Sequence, residues 1–216
     1  MPDTMHGFVA QDSISAAAEN TWVGLKVSKR GEIVTVNWWT QMAMEKRVYN
    51  VRAGTITTPI VGDLLLTDAA AEMCADAQTG FTIIPSYMNI AVRLGTGLLH
   101  EYCAKSVAAI STAGTAFIPL PAYIGGPAAA TTARAATAGG CSVTAELATT
   151  TRRHWSYSNP LAVSAGHDIC THEWTPTAAA PLFGPSCFYV QIAASGTGPS
   201  YYASFDYVEL ATVALS

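Results

Sequence analysis

The densest group of side chains that could bind a metal lies between His167 and Glu173, in the sequence His-Asp-Ile-Cys-Thr-His-Glu. On a β-strand, successive side chains point to opposite faces, so Asp168, Cys170 and His172 would share one face of this segment. Carboxylate, thiolate and imidazole groups are the usual protein ligands of zinc and related ions. These three residues are therefore the weak candidate ligands for a metal site.

The spacing of the two histidines argues against such a site. Cupins, which hold a metal inside a related barrel, place two histidines two residues apart with a glutamate shortly after. Here His167 and His172 are five residues apart and would lie on opposite faces of a strand. A further ligand would have to come from elsewhere, such as His154 or His100. The sequence predicts no metal and no other cofactor, and a polar strand near a loop or a subunit contact explains the segment.

Sequence motifs for catalysis do not occur in the chain. The nucleophile elbow of the Gly-x-Ser-x-Gly type is missing. The phosphate-binding P-loop and the glycine fingerprint of dinucleotide-binding folds are missing as well. A Ser/His/Asp triad stays open, since serine, histidine and aspartate are present, as in most chains. The sequence predicts a protein that is not an enzyme.

Basic residues near the N-terminus are the candidate contacts to nucleic acid. Six of the eleven lysines and arginines fall in the first quarter of the chain, where five acidic residues accompany them. The net charge of -4 also argues against a dominant role in coating nucleic acid. Weak contact with a packaged nucleic acid stays open, and the weak candidates for it are Lys26, Lys29, Arg30, Arg47 and Arg52.

Aromatic residues offer a different binding chemistry, because sugar rings stack on exposed aromatic faces. On strands, however, aromatic residues are more often core residues or interface anchors. A carbohydrate-binding β-sandwich is therefore the alternative function. The aromatic residues that could form its stacking platform are Trp22, Trp38, Trp39, Trp155, Trp174, Tyr201 and Tyr202.

Charged residues make up only 12% of the chain, which is about half the fraction in an ordinary soluble domain. No Asp, Glu, Lys or Arg occurs between Lys105 and Arg134, or between Glu173 and Asp206. Prolines and glycines break both stretches, so neither approaches the ~20 apolar residues of a membrane-spanning helix. We expect the uncharged surfaces at 106–133 and 174–205 to be buried against other subunits, with no membrane span.

Alternating apolar residues predict an all-β fold. From Met88 to Leu94 the alternation is strict, which is typical of a strand with one buried face. Pro85 removes one ladder donor and is expected at an edge, at a bulge or in the first pairs of that strand. The link Gly95-Thr96-Gly97 predicts a hairpin with the next strand. The eight strands predicted in total are 46–57, 81–94, 98–110, 115–119, 142–150, 167–174, 186–194 and 201–215.

The segments between and before these strands have their own predictions. Residues 1–45 are predicted to form an N-terminal arm, with a short helix at 12–19 and a hairpin of strands at 21–27 and 32–40. A short helix is also predicted at 68–77, and residues 120–140 are predicted to be a functional or contact-making loop. The first residues lack the basic and apolar regions of a signal peptide. The five cysteines never form a Cys-x-x-Cys pair, so buried reduced thiols are expected.

Eight antiparallel strands behind an arm fit an eight-stranded antiparallel jelly-roll sandwich. In this architecture and in their charge-poor composition, residues 46–216 resemble a viral single jelly-roll capsid protein. The strand Gly80–Leu94 with its Thr-Ile-Ile-Pro opening, the Ala/Gly-rich loop 120–140 and the last strand carry the resemblance. It implies an icosahedral shell subunit of the virion that assembles with copies of itself. Many capsid proteins have a strongly basic arm, which this chain lacks. A cupin-like metalloprotein is a further alternative function.

Overall fold

Fifteen strands and one short helix make up the part of the chain that the structure describes. The structure is a computed structural model, and it describes residues 37–64, 70–96, 99–106, 110–135, 140–143, 152–159, 170–176 and 181–212. All strand pairs are antiparallel, so the predicted all-β class is confirmed, whereas the predicted count of eight strands is too low. Within the described residues no helix has the length and hydropathy needed to span a bilayer.

The elements follow one another along the chain with short helix α1 first. Their bounds are α1 (Trp38–Met44), β1 (Val48–Ala53), β2 (Ile60–Val61), β3 (Met73–Ala77), β4 (Phe81–Thr96), β5 (Leu99–Ser106), β6 (Thr112–Ala113), β7 (Thr115–Phe117), β8 (Leu120–Pro121), β9 (Thr132–Ala135), β10 (Cys141–Ser142), β11 (Arg152–Asn159), β12 (Cys170–Trp174), β13 (Leu182–Phe183), β14 (Ser186–Ala194) and β15 (Thr197–Ala211).

Two large sheets contain most of these strands. Sheet A has the order β12-β4-β15-β1-β8, with β13 added to β4 and β2 added to β15. Sheet B has the order β11-β5-β14-β3-β9-β7, and β6 and β10 form a separate two-stranded sheet. The main hydrophobic core draws buried side chains from strands of both large sheets, as in a β-sandwich.

Eight of the strands pair in a nested order. In chain order these are β1, β3, β4, β5, β11, β12, β14 and β15. The first pairs with the last, the second with the seventh, the third with the sixth and the fourth with the fifth. The pairs alternate between the sheets, and β15 with β4 and β14 with β5 join them side by side. The chain is thus a long antiparallel ribbon bent over on itself.

The predicted hairpin between the strands at 81–94 and 98–110 is wrong. Strand β4 lies in sheet A between β12 and β15, whereas β5 lies in sheet B between β11 and β14. The chain therefore passes from sheet A to the facing sheet B between these two strands.

Pro85 occupies a bulge, which is one of the positions predicted for it. The register of β4 and β15 shifts between the pairs Tyr87–Asp206 and Pro85–Tyr207. This bulge reverses the alternation, so Ile83 and Met88 both belong to the main core although they are five residues apart. A proline can therefore lie within a central strand here without breaking the pairing on either side.

Five stacked aromatic rings run through the main core. Trp174 stacks on Phe188 with ring centroids 5.8 Å apart, and Phe188 stacks on Phe205 at 4.6 Å. The stack continues from Phe205 to Tyr207 at 5.5 Å and from Tyr207 to Tyr49 at 5.8 Å. Because these rings come from β12, β14, β15 and β1, the stack ties the two sheets together.

Helix α1 replaces the end of the strand predicted at 32–40. The Asn37 side chain accepts a 2.9 Å hydrogen bond from the Trp39 backbone N–H and caps the helix. Met42 packs with Ile84 and Val208 on the outer face of sheet A, so the helix covers part of that face. The helix predicted at 12–19, the strand at 21–27 and residues 32–36 lie outside the described residues.

The structure also corrects the helix predicted at 68–77, because strand β3 lies within that segment. The sequence Met-Cys-Ala-Asp-Ala falls in the segment predicted to be a helix, yet all five residues are buried in sheet B. Met73 and Ala75 face the main core, while Cys74 belongs to a second cluster on the outer face. Burial on both faces outweighs the low β propensity of alanine and aspartate.

The segment predicted as one loop at 120–140 contains two strands. Strand β8 extends sheet A, and β9 inserts between β3 and β7 in sheet B. The strand predicted at 142–150 is described only over its first two residues, of which Ser142 belongs to β10. The short strand at 115–119 is confirmed as β7, although it ends at Phe117.

Three buried cysteines lie in the cluster on the outer face of sheet B. Cys74, Cys141 and Cys187 are free thiols, as the sequence predicts. Burial raises the pKa of Cys187 to about 11 and raises that of Cys74. The hydrogen bond with Cys74 and, to a smaller extent, burial raise the pKa of Cys141. Protonated at neutral pH, these thiols are poor nucleophiles.

Candidate subunit-contact surface

An uncharged, exposed segment connects the edges of the two sheets. It runs from β7 at the edge of sheet B to β8 at the edge of sheet A, and we call residues 118–124 the apolar rim. Ile118 is 64% exposed, Leu120 is 60% exposed and Ile124 is 96% exposed. Single exposed apolar residues are common, but a run of them within seven positions marks a candidate contact surface.

A buried carboxylate fixes the chain before the apolar rim. Asp76 in β3 is 1% exposed and accepts hydrogen bonds from the Ser111 backbone N–H at 2.8 Å and the Ser111 hydroxyl at 2.6 Å. Burial raises the pKa of Asp76, although the two Ser111 hydrogen bonds and the charge of Arg134 oppose the shift. The Arg134 Nε atom lies 3.9 Å from the carboxylate.

A second buried carboxylate fixes the chain after the rim. Glu209 in β15 is 8% exposed, and its Oε1 atom accepts a 2.9 Å hydrogen bond from the Ala130 backbone N–H. Its Oε2 atom accepts from both the backbone N–H and the hydroxyl of Thr131. Strands β3 and β15 therefore anchor both ends of the segment 111–131. This anchoring lowers the conformational entropy that the segment would lose on binding a partner.

Replacing Asp76 by alanine is expected to destabilise the fold by about 1–3 kcal/mol, since both Ser111 donors lose their acceptor in a buried place. Urea unfolding measures this loss, and faster hydrogen exchange of the Ser111 amide would show that the anchor is released. Asp76→Asn is the matched control, because its carbonyl can still accept from the Ser111 N–H. An alanine variant as stable as the asparagine variant would contradict the anchoring role.

Comparison of the wild type with Asp76→Asn tests the effect of pH on stability. A folded-state pKa above the unfolded value means that the contribution of Asp76 is most favourable below the unfolded pKa, about 3.9. It is lost as pH rises through the folded pKa. The wild type should therefore lose stability relative to Asp76→Asn across that interval, and a constant difference would contradict the raised pKa.

A second exposed apolar group lies at one end of sheet A, and we call it the end patch. Val61 in β2 and Leu94 in β4 both pair with Ser200, from opposite sides of β15. Val61 is 65% exposed and Leu94 is 37% exposed. Arg93 donates a hydrogen bond to the Ile56 carbonyl, and this contact brings the 55%-exposed Ile56 to the same end.

The metal site considered from the sequence receives little support from the geometry. Cys170 and His172 pair with Val92 and Ile90 on the edge strand β12, and Asp168 lies outside the described residues. Burial lowers the pKa of His172. Within the described ranges, no group of three His, Cys, Asp or Glu residues is arranged to hold a metal ion.

The structure separates the candidate nucleic-acid contacts. Arg47 lies 3.1 Å from Glu45, in an ion pair at the end of α1. Arg52 is exposed on the outer face of sheet A, where its Nε atom donates to Asn50 at 2.8 Å. Lys26, Lys29 and Arg30 lie outside the described residues. The two arginines that are described thus have acidic or amide partners and do not form a basic patch.

Five of the seven candidate sugar-stacking residues have described side chains, and these five divide between the core and the surface, whereas Trp22 lies outside the described residues. Tyr201 and Trp174 are buried in the main core. Trp38 and Trp39 meet edge to face at 4.5 Å on α1, and Tyr202 lies on the outer face of sheet A.

The sequence did not indicate the roles of Asp76 and Glu209, because single acidic residues beside alanines or within a strand carry no recognisable motif.

Known proteins give no guide to the function. No protein family, no curated protein and no solved structure matches this chain.

Proposed function

We propose that the chain is a jelly-roll subunit that assembles with copies of itself into a closed viral shell. The nested pairing of the eight strands carries the first half of this proposal. A jelly roll consists of two interlocked Greek keys in two facing sheets. A ribbon in which the first strand pairs with the eighth and the fourth with the fifth supports that connectivity. The order in which the strands pair supports a jelly roll more strongly than the number of strands does.

The placement of the exposed apolar residues supports self-assembly. The apolar rim lies along the edges of β7 and β8, whereas the end patch lies beside Ser200, so the two surfaces are distinct. Contacts between two different surfaces of identical subunits are heterologous, and they form rings and shells when the rotation closes. The charge-free segment 110–131 avoids the desolvation penalty that a charged contact surface would incur.

The resemblance of residues 46–216 to capsid proteins supports a viral shell as the assembly in this proposal. The proposal places the protein in the virion as a structural subunit without catalysis, with 46–216 as the shell domain and 1–45 as the arm. Within that arm, α1 packs on the outer face of sheet A and so would remain with the shell domain. Genome contact has a minor part in this proposal, since the net charge is -4.

Purified full-length protein tests the proposal directly. Size-exclusion chromatography followed by negative-stain electron microscopy should reveal closed particles of uniform diameter. A well-behaved monomer at high protein concentration would refute self-assembly. Open fibres would refute the closed symmetry but not the association.

Salt should not dissolve these particles, because the proposed contacts are apolar and uncharged. Light scattering is expected to stay constant or rise as sodium chloride is increased to about 1 M, where the Debye length is about 3 Å. Sodium sulfate should promote assembly, since it strengthens apolar burial. Particles held together by bound nucleic acid would instead dissociate steeply with salt.

A further inference from the structure

The outer face of sheet A carries a polar groove, to which the apolar rim contributes only one wall. Its volume is about 670 Å³, within the usual range for small-ligand sites. Strands β1 and β15 form the floor, and the segment Leu120–Ala122 forms a wall. The polar side chains in the groove are those of Asn50, Arg52, Thr55, Asn89, Tyr202, Ser204 and Asp206.

Hydrogen bonds within the groove hold three of these side chains in fixed orientations. Arg52 donates from Nε to Oδ1 of Asn50, and Asn50 donates from Nδ2 to Oδ1 of Asp206. The paired strands β1 and β15 thus present a guanidinium group, an amide and a carboxylate that are oriented before a ligand arrives. Such preorganisation lowers the entropic cost of binding.

The network leaves hydrogen-bonding capacity directed at the groove. Within the described part of the chain, Oδ2 of Asp206 and the terminal nitrogens of Arg52 make no hydrogen bond. Asn89 uses its Nδ2 atom to donate to Tyr87 and Glu173 at 3.3 and 3.4 Å, and its Oδ1 atom likewise accepts none. The groove therefore offers acceptors and donors side by side, which matches the paired hydroxyl groups of a sugar.

A second hollow of about 350 Å³ adjoins the groove. Asp206 lines both, and the second hollow is also lined by the aromatic rings of Trp39 and Tyr87. Tyr202 supplies an aromatic ring in the first hollow. Aromatic rings beside a shared carboxylate provide two neighbouring places where sugar rings could stack while their hydroxyls bond to Asp206.

We propose that this outer-face groove binds a neutral oligosaccharide that spans the two hollows across Asp206. The Asp206 carboxylate offsets the charge of the Arg52 guanidinium in the groove, so no excess positive charge there favours a nucleic acid or another polyanion. The many polar side chains disfavour an apolar ligand, whose binding would leave them desolvated and unpaired. A neutral sugar satisfies both conditions, because it supplies hydroxyl donors and acceptors together with apolar ring faces.

Titration of the full-length protein with lactose, cellobiose, maltose and sialyllactose, followed by saturation-transfer NMR and calorimetry, tests this proposal. At least one neutral disaccharide should bind saturably below about 100 mM, a concentration that saturates a site with a Kd of about 1 mM. Asp206→Asn keeps the acceptor for Asn50 but changes the unpaired oxygen, and it should weaken binding by at least about tenfold. Tyr202→Ala should weaken it by a similar factor.

Thr171→Ala is the matched control, since Thr171 is exposed on the same face and lines neither hollow. This variant should bind as the wild type does, and thermal unfolding should be the same for all variants. Absence of binding by all three neutral disaccharides would overturn the proposal. Binding of sialyllactose alone, or binding unchanged in Asp206→Asn, would overturn it as well.

Discussion

Replacing Ile124 by aspartate is expected to raise the protein concentration needed for assembly about 30-fold while leaving the fold of the subunit unchanged. Ile124 is 96% exposed, so the new carboxylate remains in water in the isolated subunit and costs it little stability. In the assembled shell the same carboxylate would be desolvated against an apolar neighbour without a partner. A penalty of about 2 kcal/mol per contact corresponds to about a 30-fold higher concentration for assembly.

Two comparisons make this result specific. Thr171→Asp adds the same charge at an exposed position of β12, away from the apolar rim, and should assemble as the wild type does. Thermal unfolding of Ile124→Asp at a concentration below assembly should match that of the wild type. If Ile124→Asp forms particles at the same concentration as Thr171→Asp, the apolar rim is not a subunit contact.

Phe205→Ala should have the largest effect on the stability of the subunit. Phe205 is 1% exposed and stacks between Phe188 and Tyr207, at the middle of the aromatic stack. Truncating a buried phenylalanine costs about 3–5 kcal/mol, because it removes apolar contacts and leaves a cavity between the sheets. This is a large part of the ~5–15 kcal/mol by which a typical domain is stable.

Phe183→Ala is the control for that substitution, since Phe183 is 54% exposed on β13. Its effect should stay within about 0.5 kcal/mol. Both changes are best measured by urea unfolding in an Ile124→Asp background, where assembly does not add to the apparent stability. Equal stability of the two variants would show that the stack does not hold the sheets together.

The strands with strong alternation could be predicted from the sequence. Strand β14 has the bounds predicted for it, and β4 and β15 differ from the predicted strands only at their ends. These strands are rich in β-branched and aromatic residues that fill the core, so local pattern and tertiary burial agree. The bulge at Pro85 was also foreseeable, because proline lacks a donor for the ladder.

Strand β3 and the path from β4 to β5 could not be predicted in the same way. The strand Met73–Ala77 is specified by burial on both of its faces, which depends on β14 and β9 from distant parts of the chain. A Gly-Thr-Gly link can join two strands of one sheet or pass to the facing sheet. That choice depends on where each apolar face finds a second layer.

The two carboxylate anchors of the candidate site could not be predicted either, because they depend on contacts between distant residues. Asp76 and Ser111 are 35 residues apart, and Glu209 and Thr131 are 78 apart, so no local spacing indicates either contact. The exposed apolar residues were easier to find, since the absence of charge between Lys105 and Arg134 is visible in the sequence. Composition thus predicted an uncharged surface in this part of the chain, and only the fold shows that its exposed apolar residues lie at the edges of the two sheets.

Sedimentation velocity of the full-length protein over a wide concentration range tests the central claim of self-assembly most directly. Closed assembly through heterologous contacts predicts two boundaries, a small subunit species and one large particle of fixed size, with few intermediates. The large particle should appear above a threshold concentration and then take up all added protein. A single monomer boundary at every concentration would contradict the account.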